Sequence, residues 1–461
     1  MNNYLKYAVL GSLLLLNSCM VGPKYVRPTV QTPAAFKEEP PAGWKDAQPN
    51  DGALRGNWWT AYNDPQLNAL EDQVSISNQN VLAAEARFRE AQADVSIARS
   101  QLFPTVSSGP SGTVSETGNS GLKQSFAIPI GAAYSVDIWG SIRRSVRSNS
   151  DIAQASAAEL QNAKLLYQAE LAEDYFQVQG LESQAQLLKG AVDSYEHYLQ
   201  LTKDRYSGGV ATMADVSLAE TQLETARSQL TDLGAQRAQF EHAMAVLTGK
   251  PPSELSISVT ARQAPPPVTS VGLPSSLLER RPDIAASERQ VAAANEQIGI
   301  AKSAFFPSLT LSGTLASQLT TLMSAPTTFW SLGPQLLATI FDGGKRRAQV
   351  KLSEATYDET VSNYRQTVLT AFQQVEDGLS DLRILADEAD TTDRAVKAAQ
   401  QSLDISTDQY RGGITNYLQV ITSQTSTLQN QRAAAEILTR RMLASVSLIQ
   451  ALGGNWDASQ L

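Results

Sequence analysis

The feature that most constrains this chain is that it is written twice. Ala98-Arg99-Ser100-Gln101-Leu102-Phe103-Pro104 recurs 203 residues later as Ala301-Lys302-Ser303-Ala304-Phe305-Phe306-Pro307, and Gly140-Ser141-Ile142-Arg143-Arg144 recurs at the same offset as Gly343-Gly344-Lys345-Arg346-Arg347. Tyr206-Ser207-Gly208-Gly209-Val210 returns 204 residues on as Tyr410-Arg411-Gly412-Gly413-Ile414. Unrelated local matches at nearly one offset imply a tandem duplication, so each half must hold the same order of elements.

Each half opens with a helix, at Asp64-Pro65 and at Arg281-Pro282-Asp283, since proline early in a helix sacrifices no intrahelical bond. Both helices stop at a proline, Pro104 and Pro307. Alternating segments follow. Phe126, Ile128, Ile130, Ala132, Tyr134, Val136 and Ile138 are apolar at every even position, against Ser125, Gly131, Ser135 and Asp137 at odd ones, with Pro129 as an interruption. In the second half Leu309, Leu311 and Leu315 alternate with Ser308, Thr310, Ser312 and Thr314, and Trp330, Leu332, Leu336, Ala338 and Ile340 repeat the period. Two hairpins, 104–139 and 307–342, give four strands.

Helix then resumes at Arg143 and Lys345 and runs to the paired glycines. An unbroken helix from Arg143 to Ser207 would reach on the order of 100 Å, with Gly180 and Gly190 expected to interrupt or bend it. The return helices carry heptads, Ala219, Ala226, Leu233, Phe240 and Leu247 in one half and Ile421, Leu428, Ala435, Met442 and Ile449 in the other. Two helical hairpins result, tipped by Gly208-Gly209 and Gly412-Gly413. The domain plan is an extended segment 19–63, a first repeat 64–250, a Pro-rich linker 251–280, a second repeat 281–452 and a tail 453–461, after a signal peptide 1–18.

Composition narrows the function. Ala, Gln, Ser and Leu dominate the helical stretches, which suits close helix packing and argues against large aromatic cores. A net charge of -9, with no basic run longer than Lys345-Arg346-Arg347, excludes a nucleic-acid surface. The two histidines, His197 and His242, have no partner at metal spacing, and no nucleophile elbow, phosphate loop or dinucleotide fingerprint occurs, so the chain reads as no enzyme. Lys6 and the apolar run Ala8 to Leu16 form an export signal too short to span a bilayer. Leu16-Asn17-Ser18-Cys19 resembles a bacterial lipobox, and Met20 in place of Asp after the cysteine implies the outer membrane. Four strands cannot close a barrel, so several chains would have to share one wall.

From Cys19 to its end the chain resembles the outer membrane factors, the TolC-like channels, and among them the NodT-type lipoproteins. The resemblance rests on Leu273-Pro274-Ser275-Ser276-Leu277-Leu278-Glu279-Arg280-Arg281-Pro282-Asp283-Ile284, on Trp59-Thr60-Ala61-Tyr62-Asn63-Asp64-Pro65-Gln66-Leu67, and on Cys19 to Pro28. It implies an α+β membrane protein: a homotrimer with a twelve-stranded barrel in the outer membrane, four strands per chain, and a long periplasmic helical barrel. It further implies diacylglycerol and an N-acyl chain on Cys19, no cofactor, and as partners a periplasmic adaptor and a proton-driven inner-membrane pump. The implied periplasmic gate comprises Asp215, bonding across to Tyr410 and Thr415, with Leu418, Gln419 and Thr422 at the constriction. The last two replace the acidic residues common in related channels. The tips Gly208, Gly209, Arg411, Gly412 and Gly413 are expected to meet the adaptor. A tripartite efflux duct is the first reading; a duct for type I protein secretion and a lipid-tethered periplasmic coiled-coil scaffold are the alternatives.

Overall fold

A computed structural model describes residues 20–38, 57–116, 118, 122–258, 264–267, 277–319 and 325–454. The expected signal peptide, Cys19, and residues 455–461 of the expected tail lie outside the described residues. In chain order the elements are α1 (Pro65–Ser77), α2 (Gln79–Ser100), β1 (Thr105–Ser108), β2 (Ser111–Glu116), β3 (Leu122–Val136), α3 (Ser141–Ser207), α4 (Met213–Leu247), α5 (Leu277–Arg280), α6 (Pro282–Ser303), β4 (Ser308–Leu319), β5 (Thr327–Leu337), α7 (Lys345–Arg411) and α8 (Tyr417–Ala451). Two compact units divide the chain: 1–30, 86–158 and 285–366 form the first, and 31–85, 159–284 and 367–461 the second.

The first unit holds the sheet. β1 and β2 both pair antiparallel with β3 in one register, Thr105 facing Ala133 and Ser111 facing Ala127. They are therefore one strand broken at Gly109-Pro110, where proline has no N–H to give the ladder. β3 pairs with β4 and β4 with β5, so the two expected hairpins merge into one antiparallel sheet across the sequence repeat. The rungs separate two chemistries. One face carries Val136, Leu309 and Leu336, then Tyr134, Leu311 and Pro334, then Ile130, Leu315 and Trp330. The other carries Ser135, Thr310 and Gln335, then Gly131, Thr314 and Ser331, then Ala127, Gln318 and Thr327. Most of the large apolar side chains stay uncovered, Trp330 at 77% exposure.

Below the sheet the first unit packs small residues, among them Ala91, Val95 and Ala153, so its helices approach closely. A buried ion pair, Arg144 to Glu296 at 2.7 Å, ties α3 to α6. The segment after residue 19 is held as a strap: Val21 donates to the Trp139 carbonyl at 3.1 Å and Arg144 donates to the Pro23 carbonyl at 3.1 Å. Further along, the Tyr25 hydroxyl donates to Glu288, and Arg27 donates to the Tyr364 hydroxyl at 3.3 Å.

The second unit corrects four expectations. The opening helix of the first half is two helices: Asp64 caps α1, accepting from Gln66 and Leu67, and Asn78 ends it and caps α2, accepting from Asn80 and Val81. By the 203-residue offset Asn78 matches Arg281, so α6 repeats α2 and not α1. The two residues also do the same work: Asn78 donates to the Leu247 carbonyl at 2.8 Å, and Arg281 to the Ala451 carbonyl at 2.9 Å. Second, an aromatic core exists, Trp58, Trp59, Tyr62, Tyr175 and Phe176 packed with Leu67, Val74, Met244, Met442 and Ile449. Small residues suit parallel helix seams, but filling the space between a 3₁₀ turn at Trp58–Tyr62, α1 and three long helices takes large rings. Third, α3 runs unbroken through Gly180 and Gly190. A Cβ at Gly180 would lie 2.2 Å from Thr439 Oγ1, so that glycine permits close approach of α8 without breaking its own helix. Fourth, the linker holds a 3₁₀ turn at Pro252–Glu254 and the single turn α5. Most heptad positions face inward, with Ala219, Ala226, Leu233, Leu247, Met442 and Ile449 buried.

Candidate functional site

The helical hairpin ends lie in the second unit and end in the same turn. In the first, Gly209 N–H donates to the Tyr206 carbonyl at 3.0 Å and Val210 N–H to Arg205 at 2.9 Å; in the second, Gly413 donates to Tyr410 at 3.0 Å and Ile414 to Gln409 at 2.8 Å. Both turns need a residue at φ +73°, supplied by Gly209 and Gly413, which closes the helix and turns the chain back. Gly208 and Gly412 precede them, donating to Asp204 and Asp408. Arg411 is exposed and lies 3.9 Å from Asp408. Around the tips Val210, Met213, Ile414 and Leu418 are exposed, an apolar surface on otherwise polar hairpins.

The expected gate residues divide. Asp215 is engaged by its own helix: its carboxylate accepts from the Thr212 N–H at 2.9 Å and hydroxyl at 2.8 Å, while Thr212 Oγ1 accepts from the Asp215 N–H at 3.2 Å. That capping box starts α4, and no bond runs from Asp215 to Tyr410 or Thr415 among the described residues. Tyr410 is buried, yet its hydroxyl has no partner among them. Leu418, Gln419 and Thr422 are exposed in the first turns of α8, whose cap is Asn416 accepting from Gln419 N–H at 3.3 Å. Thr415, half-buried, lies in the turn between α7 and α8. So the structure gathers Leu418, Gln419 and Thr422 on one turn and engages the Asp215 carboxylate in the cap of its own helix.

What joins the two hairpins within one chain is a set of which sequence reasoning named only Tyr410. The Arg205 guanidinium lies 4.4 Å from the Tyr410 ring centre and donates to the Tyr410 carbonyl at 2.8 Å. Tyr410 in turn packs on Tyr417, ring centres 5.4 Å apart, and burial holds the Tyr417 phenol well above its ordinary pKa. The Tyr198 hydroxyl donates to Thr407 at 3.3 Å, and Gln222 to Thr425 at 3.1 Å. A signal for Arg205 was present: 204 residues on stands Gln409, so the repeat is broken there.

No group of three or more His, Cys, Asp or Glu residues could hold a metal among the described residues, and His197 and His242 are both exposed. No helix among the described residues is long and apolar enough to cross a membrane.

Comparison with known proteins agrees with this geometry. The chain is 31% identical over 468 residues to the pyoverdine export outer membrane protein OpmQ of Pseudomonas aeruginosa, covering 98% of this chain and 97% of that one. It is 29% identical over 455 residues to the toluene efflux pump outer membrane protein TtgC of Pseudomonas putida, covering 96% and 94%. Among solved structures it superimposes on the outer-membrane channel OprN with a TM-score of 0.86 at 28% identity, over 95% of this chain and 100% of that one. The Campylobacter jejuni CmeC outer membrane channel, at 22% identity and a TM-score of 0.88, shares the fold over 96% of both chains. The model of the family described as "Outer membrane efflux protein" matches residues 70–250 and 273–454, one match on each half of the duplication. With a sheet built for a barrel wall and hairpins built for a tunnel, the chain belongs to the outer membrane efflux protein family and is an outer-membrane efflux channel.

Proposed function

We propose that three copies of this chain close a twelve-stranded barrel and form a passive duct, loaded from below by a periplasmic adaptor and a proton-driven inner-membrane pump. The carrying observation is the four-strand path of the sheet, apolar on one face and hydroxyl- and amide-bearing on the other, with β1–β2 and β5 left as edges. Unpaired edges in hydrocarbon cost several kcal/mol per open group, on the order set for buried amides, so closure by further copies is the route to a membrane wall. Diacylglycerol and an N-acyl chain on Cys19 would tether each copy, and the strap that begins at Met20 would hold that tether at the foot of the sheet.

The gate we propose is the lower end of the α7–α8 hairpin. It is held to the first hairpin by Arg205 on Tyr410, and Leu418, Gln419 and Thr422 face the path. The Asp215 carboxylate is then available to further bonds between copies, whereas the Tyr410 hydroxyl is buried within its own chain. Gly208, Gly209, Arg411, Gly412 and Gly413 present the tips to the adaptor. The chain itself would do no chemistry. Its cargo is set upstream, since relatives of nearly equal similarity are named for pyoverdine and for toluene.

The test is photocrosslinking in living cells from Arg411, with the captured protein identified. Capture of a periplasmic adaptor is the expected result. Repeated failure there and at Val210 and Ile414, in cells where the chain is found in the outer membrane, would remove the tripartite reading and leave a stand-alone pore.

A further inference from the structure

Inside the first unit the two halves of the chain meet through a contact that the duplication supplies a second time. β3 leads into α3 and α6 leads into β4, so the β3–β4 pairing continues as the contact between α3 and α6. In the same way α2 leads into β1 and β5 leads into α7, but these strands are the open edges of the sheet. Closing the wall sets β5 of one copy beside β1–β2 of the next, and so α7 beside the next copy's α2, a head-to-tail contact that closes a ring. Because α6 repeats α2 and α7 repeats α3 at the 203-residue offset, the α3–α6 contact is the template for it.

Two side chains of α3 make that template. Arg144 lies across Gly299, where an added Cβ would come within 2.3 Å of its Cδ, and pairs with Glu296 at 2.7 Å. One turn on, Ser148 donates to the Ala293 carbonyl at 3.2 Å and accepts from the Gln297 amide at 3.0 Å. Moved by the offset, Arg144 and Ser148 become Arg347 and Lys351 on α7, while Gly299, Glu296, Ala293 and Gln297 become Ser96, Ala93, Glu90 and Asp94 on α2. Arg347 cannot copy Arg144: Ser96 carries the side chain that Gly299 lacks, and Ala93 offers no carboxylate in place of Glu296. Lys351 fares differently, because both residues that flank the Ser148 position become acids.

Glu90, Asp94 and Lys351 are exposed in the single chain and make no ion pair among the described residues. Two acids one turn apart on a helix repel each other, so Glu90 and Asp94 do not serve α2 itself. A cation between them relieves that repulsion. Relative to the template, the ion pair has moved by one helical turn, from Arg144 and Glu296 to Lys351 and the two acids.

We propose that Lys351 of each copy seats between Glu90 and Asp94 of the next, and that this clasp sets the register of α7 on its neighbour. The proposal rests on the three-copy reading above and adds to it the residues by which copies recognise one another. A slip of one turn in either direction keeps only one of the acids, with Ala86 or Ala98 in the other place, so the charges discriminate between registers.

Disulfide trapping in native outer membranes tests the register. Lys351→Cys combined with Asp94→Cys, oxidised before extraction, is expected to give dimers and trimers on a non-reducing gel. Lys351→Cys combined with Ala83→Cys, about three turns away on the same face of α2, should give monomers, as should the chain with Cys19 alone. Charge reversal gives a second readout. Lys351→Glu should lower by several degrees the temperature at which the detergent-extracted trimer comes apart, and adding Glu90→Lys and Asp94→Lys should restore it. A trimer that traps at position 83 and not at 94, or that is equally stable with Lys351→Glu, overturns the clasp and leaves the three-copy reading standing. A loss that the triple reversal does not repair would assign Lys351 to its own chain, which also overturns the clasp. An unaltered chain that is monomeric by light scattering after mild extraction would overturn both readings together.

Discussion

Glu71 is the side chain least at ease in its surroundings. It sits in α1 with no exposed surface, both carboxylate oxygens lack a hydrogen-bond partner among the described residues, and burial pushes its pKa well above the carboxylate range. A buried polar group without a partner costs about 1–3 kcal/mol by mutational measures, more when charged. Glu71→Leu should therefore raise thermal stability, and the gain should grow with pH, because the folded state binds a proton that the unfolded chain has already released. Asp174 carries the same sign: burial first, then Glu170 and Glu173, lift it to about 7. Its contribution is full below about 4, where both states are protonated, and is lost as pH rises through about 7. Thermal melts of Asp174→Asn across that window should show a shallower decline than the unaltered chain. At the tips, Arg205→Ala removes the stacking on Tyr410 and the bond to its carbonyl. Single-channel conductance in planar bilayers should rise if that contact holds the hairpins together, and an unchanged conductance would take Arg205 out of the gate.

The elements were legible in the sequence to the degree that period and punctuation carry them. The alternation at Phe126 to Val136 gave β3 its faces, and the heptads picked out Ala219, Ala226, Leu233 and Leu247 of α4 and Met442 and Ile449 of α8 as buried, but not Leu223, Met244, Val420, Val446 or Leu448. The glycine pairs marked both tips because a left-handed residue is needed wherever a helix closes on itself this way. What failed was whatever depends on a neighbour distant in sequence. Asn78 has the chemistry of a cap, but nothing local says that the chain bends there; the reason is the Leu247 carbonyl, 169 residues on, which Asn78 must reach. Gly180 looks like a helix breaker until Thr439 is placed against it. Gly180→Leu should therefore leave α3 helical by circular dichroism while lowering the melting temperature, because the added side chain has to push α8 away. The site was the least legible part. Asp215 fits its local capping box as well as any lock, and which of the two it makes is decided by chains that a single sequence does not contain.

At the scale of the molecule the sheet argues for its own assembly. Rungs such as Ile130, Leu315 and Trp330 stay exposed among the described residues and are too numerous on one face to be an accident of a soluble fold. The opposite face is polar and, among the described strand residues, carries one ionisable side chain, the cation Lys123, so that wall can border water. Alternation makes the assignment testable with two substitutions on adjoining residues of one strand. Leu315→Arg places a charge on the apolar face, where an arginine costs about 2–4 kcal/mol near a bilayer midplane. Thr314→Arg places the same charge on the hydroxyl face, where water can solvate it. Outer-membrane yield of heat-stable oligomer should fall sharply for the first and change little for the second. Equal losses would mean that the two faces meet the same surroundings, and a barrel wall would then be the wrong description of this sheet.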